Sequence, residues 1–217
     1  MKLLFGVTGD KEWQWKEKLN DLEKMEIKEA ALFLERYEKN QRNKIYKALE
    51  EGSIKKFPLV HIRNDMGKEE LKLLKKKYGA KYFTIHEDGF DIMEKWRGYY
   101  KDLYLEMNTD NFVAEEVKVK KIGGFCVDLS HFKVEMVKWS KEFEYIFKRR
   151  NKDIFACNHL NGYDPIRNKD MHIVKSLKDF DYLKALPEFL FGEAIAIEAD
   201  NSIPEQLKFK NLSLCAL

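Results

Sequence analysis

Eight short apolar runs, separated by charged stretches of helical period, limit the folds open to this chain more than any other feature. The runs are Leu3 to Val7, Ala31 to Leu34, Pro58 to His61, Tyr82 to His86, Leu103 to Glu106, Phe125 to Asp128, Ile154 to Asn158 and Ala194 to Glu198. Runs of this length and composition read as strands buried on both faces, and helical stretches between them read as parallel crossovers. A sandwich would lack the helices and a bundle would lack the runs. Eight such units in 217 residues predict one α/β domain spanning residues 1–217. The expected architecture is a compact (β/α)8 TIM barrel, near the small end of the roughly 200 to 400 residues such barrels span.

The intervening helices carry apolar stripes that would cover the outside of a barrel. Leu71, Leu74 and Tyr78 form one stripe, and Met136, Trp139, Phe143, Ile146 and Phe147 predict a single longer one. Ser202-Ile-Pro-Glu205 has the form of a capping box with proline near the first helical position, so a last helix is expected directly after the eighth run. Residues 88–102 and 108–122 are poorly patterned, and short or irregular helices are expected there.

Hydrophobic residues at 44% and aromatics at 13% exclude a disordered chain. Lysine and arginine number 40 against 37 acidic residues, so there is no global basic field and any anion must be recognised locally. The N-terminal apolar run is too short for a membrane span and lacks a cleavage site, which predicts a cytoplasmic protein without a membrane role. Cys126, Cys157 and Cys215 form no CxxC and read as buried, reduced thiols.

In a parallel barrel, chemistry gathers where strands end and in the loops that follow. All five histidines of this chain fall there, interleaved with carboxylates: His61, His86, Glu106, Asp128-x-x-His131, His159, Asp170-x-His172 and Glu198. Imidazole and carboxylate together suit Zn2+, Mn2+, Fe2+ or Co2+. One ion takes about four protein ligands, so nine candidates imply several metals, or a metal and a substrate. Glu106 and Glu198 are the expected bridging and catalytic carboxylates. Metals a few ångströms apart suit phosphoester cleavage. One metal on Glu106, Asp128, His159 and Glu198 would instead hold two oxygens of a sugar while the glutamates move a proton.

Lys75 to Lys77 and Lys148 to Arg150 are expected at helix C-termini, as solvated ends complementing the macrodipole. Arg36, Arg42, Arg63, Arg167 and Lys169 follow strands on the catalytic side; Arg63 and Arg167 are the preferred phosphate contacts.

With these residues in place, the chain resembles the xylose isomerase-like TIM barrels, and within them the endonuclease IV family of abasic-site DNA repair enzymes. The closest stretch is HLNGYDPIRNKDMH, residues 159–172, similar to that family's His-Leu-Asn-Asp followed by Asp-Arg-His; ALFLERYEKNQR after the second run is a further local match. The resemblance implies a trinuclear zinc site on His61, His86, Glu106, Asp128, His131, His159, Asp170, His172 and Glu198. With it come up to three Zn2+; the donor set admits Mn2+ in their place, and the expected substrate contacts are Arg63 and Arg167, from their positions after strands, with Asn161 in the His-Leu-Asn match. A metal-dependent hydrolase acting on a phosphoester, with abasic-site DNA as the family's substrate, is the implied function.

Three stretches depart from the family pattern. HIRN stands where the family has His-Ala-Pro-Tyr, Ile173 to Ser176 where it has Asn-Ile-Gly-x-Gly, and Glu198-Ala199-Asp200 where it has Glu-Thr-Pro. The expectation is retained chemistry with reduced grip on DNA. The sugar isomerase and epimerase branch of the same superfamily offers a rival, matching Glu106, Asp128, His159 and Glu198 with His131 beside the substrate. A binding module without catalysis is the third reading.

Overall fold

The apolar runs become strands of one parallel sheet in a computed structural model that describes residues 1–107 and 117–213. The strands are β1 (Lys2–Leu4), β2 (Gly6–Val7), β3 (Ala31–Phe33), β4 (Leu59–His61), β5 (Tyr82–His86), β6 (Leu103–Glu106), β7 (Gly124–Asp128), β8 (Phe155–Leu160) and β11 (Ala194–Ile197). Their order is β1, β11, β8, β7, β6, β5, β4, β3, β2. The two outer strands are separated in the chain only by Phe5, so the sheet curls into a nearly closed barrel. A separate antiparallel hairpin, β9 (Gly162–Asp164) and β10 (Lys169–Met171), follows β8.

The first run splits at Phe5 because its two halves serve different neighbours. β1 pairs with β11, β2 pairs with β3, and the Phe5 carbonyl accepts from Ala31 N at 2.7 Å. At Gly6 the amide of Gln206 takes the place of a strand: its Oε1 accepts from Gly6 N at 2.9 Å and its Nε2 donates to Gly6 O at 3.1 Å. Backbones crowd here, and a Cβ on Gly6 would lie 1.7 Å from the carbonyl oxygen of Ile197. Gly6→Ala should therefore cost about 2–3 kcal/mol through a forced backbone shift, measured as a lower urea midpoint. An unchanged midpoint would show that the seam yields freely.

Among the described residues, six α-helices surround the sheet: α1 (Glu12–Lys24), α2 (Lys39–Glu51), α3 (Lys68–Tyr78), α4 (Leu129–Lys138), α5 (Lys141–Phe147) and α6 (Ile203–Ser213). None among the described residues is long and apolar enough to cross a membrane. Residues 88–102 form the irregular crossover expected, with 3-10 turns at Glu87–Phe90, Met93–Trp96 and Tyr100–Asp102. A further turn at Val119–Lys121 precedes β7; most of the other weak unit, 108–116, and Cys215 lie outside the described residues. The capping box forms, with Ser202 N and Oγ both donating to Glu205 Oε2, at 2.9 and 2.8 Å. Lys75 to Lys77 occupy the last turn of α3, and Lys148 to Arg150 lie just past α5.

The stripe from Met136 to Phe147 does not belong to one helix. Trp139 adopts a left-handed conformation (φ 54°) and ends α4, and the Ser140 hydroxyl accepts from Phe143 N at 3.0 Å to start α5. The apolar spacing continues through the break, which is why periodicity hides it. Trp139 is left 70% exposed while Phe143 and Ile146 are buried.

Among the described residues, buried apolar side chains form two clusters, a large one between sheet and helices and a small one inside the barrel. The inner cluster is built from narrow residues, Ala31, Cys126, Ala156, Cys157, Ala194 and Ala196, wedged with Leu4, Phe33, Leu59 and Tyr82. Cys126 and Cys157 are free and buried, as their setting in strands implies.

Candidate metal centre

Strand register brings the expected ligands level. His61, His86, Glu106 and Asp128 each end a strand, His159 is the penultimate residue of β8, and Glu198 follows β11 directly. His86 pairs with Glu106 and Asp128 with His159 across neighbouring strands, while Glu198 N donates to Leu160 O at 3.0 Å. Asp128 also caps α4: its Oδ1 accepts from Ser130 N and His131 N, both at 2.9 Å, which leaves Oδ2 turned to the centre. Asp170, in β10, and His172, just after it, are carried back over the rim by the hairpin, where α4 presents His131.

All nine sequence-selected ligands fall into four groups, three of them overlapping and one separate, with the ligand atoms of each group within 4.8 Å of one another. These are His61, His86 and Glu106; His61, His159 and Glu198; Glu106, Asp128, His159 and Glu198; and His131, Asp170 and His172. Glu106 is the hub. Its Oε2 lies 3.5 Å from His61 Nδ1 and 3.5 Å from His86 Nε2, and its Oε1 lies 3.0 Å from His159 Nδ1. Glu198 Oε2 approaches the same His159 nitrogen at 3.3 Å. In the outer group, Asp170 Oδ2 is 3.3 Å from His131 Nε2 and 3.5 Å from His172 Nε2.

The donor set fits divalent cations on a structural ground as well. Both ring nitrogens of His61, Nδ1 of His131 and His159, and Oε2 of Glu106 are buried and lack a hydrogen-bond partner among the described residues. Buried polar atoms left unpaired are costly, and a cation bound by several of them removes that cost. The atoms around them are held from behind: Thr84 Oγ1 sits 3.3 Å from His159 Nε2, and His172 Nδ1 sits 3.2 Å from the Glu198 carbonyl.

The field in the centre is strongly polarised. Burial, helped by the neighbouring His86 and His159 and opposed by Glu106, drives His61 down to about 3. Burial also opposes charge on His86 and His131, but Glu106 outweighs it at His86, pushing it up to about 9, and Asp128 and Asp170 push His131 up to about 10. Burial would raise Glu198, yet the adjacent His159 holds it down at about 2.

One residue escaped the sequence reading. Glu35, two positions after β3, places Oε2 3.7 Å from His61 Nδ1, and both of its oxygens are buried without a hydrogen-bond partner among the described residues. Burial, with Glu198 nearby, raises its carboxyl to about 8. Its only sequence signal was its place just after a strand end, in a stretch where the cations drew attention.

The expected substrate contacts divide. Asn161 is fully buried and donates through Nδ2 to Asp128 Oδ2 (2.7 Å) and Glu198 Oε2 (3.3 Å), tying two ligands together. Arg63 lines a cavity with His86 and Glu35, its Nε 3.5 Å from Asp65. Arg167, 81% exposed, lines a second cavity of about 470 Å3 with Lys169, Lys175, Asp170 and His172. Arg36 is bound to Asp10 at 2.8 Å. Arg42 does not face the centre at all: it is fully buried between Glu70, Asp65 and the Tyr37 carbonyl, and is a structural cation.

Neither the models of known protein families, nor the curated proteins, nor the solved structures include a match to this chain.

Proposed function

We propose that the barrel is an eight-fold, xylose isomerase-like TIM barrel and that the chain is a metal-dependent phosphoester hydrolase resembling endonuclease IV. The observation that carries the reading is the complete use of the nine-residue set: no member is stranded away from the others, and the His131, Asp170 and His172 group shares no residue with the remaining three. A single cation, with about four protein ligands, leaves that separate group unexplained. Two or three cations, zinc-type or manganese, account for all of it.

Bound cations would supply Lewis acidity at a phosphoryl group and a nucleophile at neutral pH. The chain does the rest. Glu106 and Glu198 flank His159 from two sides and would be among the residues that hold the cations. Asp128 is held in orientation by the first turn of α4 and by Asn161. Arg167, Lys169 and Lys175 concentrate positive charge in the cavity beside Asp170 and His172, which suits the non-reacting oxygens of a phosphoester.

Elemental mass spectrometry of protein purified without chelators or a histidine tag tests the reading first, with two or three ions per chain expected. Stripping them should lower Tm by several degrees, since ligand at about 100 times its Kd stabilises by roughly 2.7 kcal/mol. The loaded protein should cleave a simple phosphodiester or a duplex with an abasic site; inactivity on both with the centre filled would end the hydrolase reading.

One observation favours a second reading. Glu106, Asp128, His159 and Glu198 form a fully buried four-ligand group by themselves, as a single-metal sugar isomerase or epimerase requires. One ion per chain, with exchange of a sugar C–H proton for solvent deuterium, would select it.

A further inference from the structure

His61, His86 and Glu106 are one donor short of a closed four-ligand shell, and a further carboxylate stands next to them. Phe33 pairs with His61 across β3 and β4, and Leu34 N donates to His61 O at 2.8 Å. The chain therefore leaves β3 level with that histidine, and Glu35, the next residue, brings Oε2 to 3.7 Å from His61 Nδ1. Its side chain is 14% exposed, and neither of its oxygens has a hydrogen-bond partner among the described residues. Arg36 does not relieve this: its Nη1 donates to Asp10 at 2.8 Å, and its Nε stays 3.5 Å from Glu35 Oε1, beyond a good hydrogen bond.

What can pair with Glu35 is set by what already surrounds it. Glu106 Oε2 stands 3.5 Å from the same His61 nitrogen, so two carboxylates converge on one imidazole atom that itself lacks a hydrogen-bond partner. Such an arrangement is costly until a cation enters it. The spacings suit one. Donors that share a cation at about 2.0 to 2.2 Å stand roughly 3 to 3.7 Å apart; the separations of Glu106 from His61, Glu106 from His86 and Glu35 from His61 are 3.5, 3.5 and 3.7 Å. In the free protein Glu35 is not a member of the group, whose donors all lie within 4.8 Å of one another. It is close to one of them, on a side chain of three torsions, beside a cavity of about 340 Å3 that it lines together with His86. That cavity gives the carboxylate room to turn and an ion a way in.

We propose that Glu35 is a fourth protein ligand for the cation on His61, His86 and Glu106. The inference rests on the several-cation part of the hydrolase reading and divides the labour within it. Three protein donors leave a position open to water or substrate, whereas four close the shell. The His61 end of the centre then serves to hold an ion, and substrate meets the end beside Asp170 and His172, where Arg167, Lys169 and Lys175 stand. The same assignment gives a reason for a carboxylate to be buried beside His61 without a hydrogen bond.

The test is a crystal structure of the zinc-loaded full chain, with zinc located by its anomalous scattering, beside zinc titrations of the parent, Glu35→Gln and Glu35→Ala against a chromophoric chelator. A Glu35 oxygen is expected about 2.0 to 2.2 Å from a zinc that His61 and His86 share. Glu35→Ala should lose one ion per chain or bind it at least tenfold more weakly, with the remaining ions within about twofold of the parent. Glu35→Gln, which keeps an oxygen without its charge, should fall between the two. A zinc on His61 and His86 with water in place of Glu35 overturns the proposal, as does a Glu35→Ala variant with the parent's zinc stoichiometry and affinities. Loss of every ion together from Glu35→Ala, with Glu35 unligated in the parent crystal, would make it a structural residue and overturn the proposal equally. Glu35 on a zinc in a protein that cleaves no phosphodiester would remove the hydrolase reading and leave the ligand standing; cleavage with Glu35 unligated would do the reverse. A single zinc on Glu106, Asp128, His159 and Glu198 would remove both.

Discussion

Glu106→Gln should abolish phosphodiester cleavage, by roughly three orders of magnitude or more, and reduce bound metal by more than one ion per chain. The expectation follows from the position of this carboxylate between three histidines, His61, His86 and His159, within 3.5 Å of each. It belongs to two of the ligand groups, so its loss weakens two sites at once. A thousandfold loss corresponds to about 4 kcal/mol of transition-state stabilisation, the scale expected when a metal's charge is displaced from a reacting phosphoryl group. Paired measurement of zinc content and initial rate separates the causes. A variant that kept its metals and lost only rate would assign Glu106 to proton transfer, as the isomerase reading has it; a variant that kept both would show that the hub is dispensable.

Arg42→Met should destabilise the fold by about 3–4 kcal/mol, seen as a fall in Tm of about 10 °C. Arg42 is fully buried and donates through Nε and Nη2 to the two oxygens of Glu70 at 2.8 and 3.0 Å, and through Nη1 to Asp65 at 2.8 Å and the Tyr37 carbonyl at 2.7 Å. Tyr46 completes the cluster by donating to Glu70 at 2.8 Å. Removing only the guanidinium strands Glu70, whose side chain is 17% exposed and can recover little hydration. Arg42→Met combined with Glu70→Gln should regain much of the loss, because replacing both charges removes the stranded one. Equal stability of the single variant and the parent would mean that water enters the cluster.

The contrast between these two residues shows what can be read from a chain. Glu106 was legible because a parallel sheet turns strand-end position into spatial position: residues that end successive strands meet, whatever their separation in sequence. Histidine is scarce here, so finding all five at such positions carried weight. Arg42 also follows a strand, yet its environment is set by Glu70, 28 residues away on another helix, and nothing local distinguishes an arginine that turns inward from one that turns sideways. Glu35 illustrates a second limit. Its significance comes from the absence of hydrogen-bond partners among the described residues, which no sequence displays. The hairpin of β9 and β10 was missed because its three-residue strands, Gly162–Asp164 and Lys169–Met171, lack any apolar alternation. The break at Trp139 was missed because one left-handed residue does not disturb apolar spacing.

The seam at Gly6 bears on how the protein comes into being. Its hydrogen bonds join residues 200 positions apart, and β1 pairs with β11, so the barrel is closed by elements far apart in the chain. Contacts of such long range form slowly, after the entropy of closing a large loop has been met. During synthesis β8 therefore presents an unpaired parallel edge until β11 has emerged, and in that interval the edge is open to pairing with other chains. Closing the barrel thus depends on an edge that must stay unpaired with other chains until its own partner strand arrives.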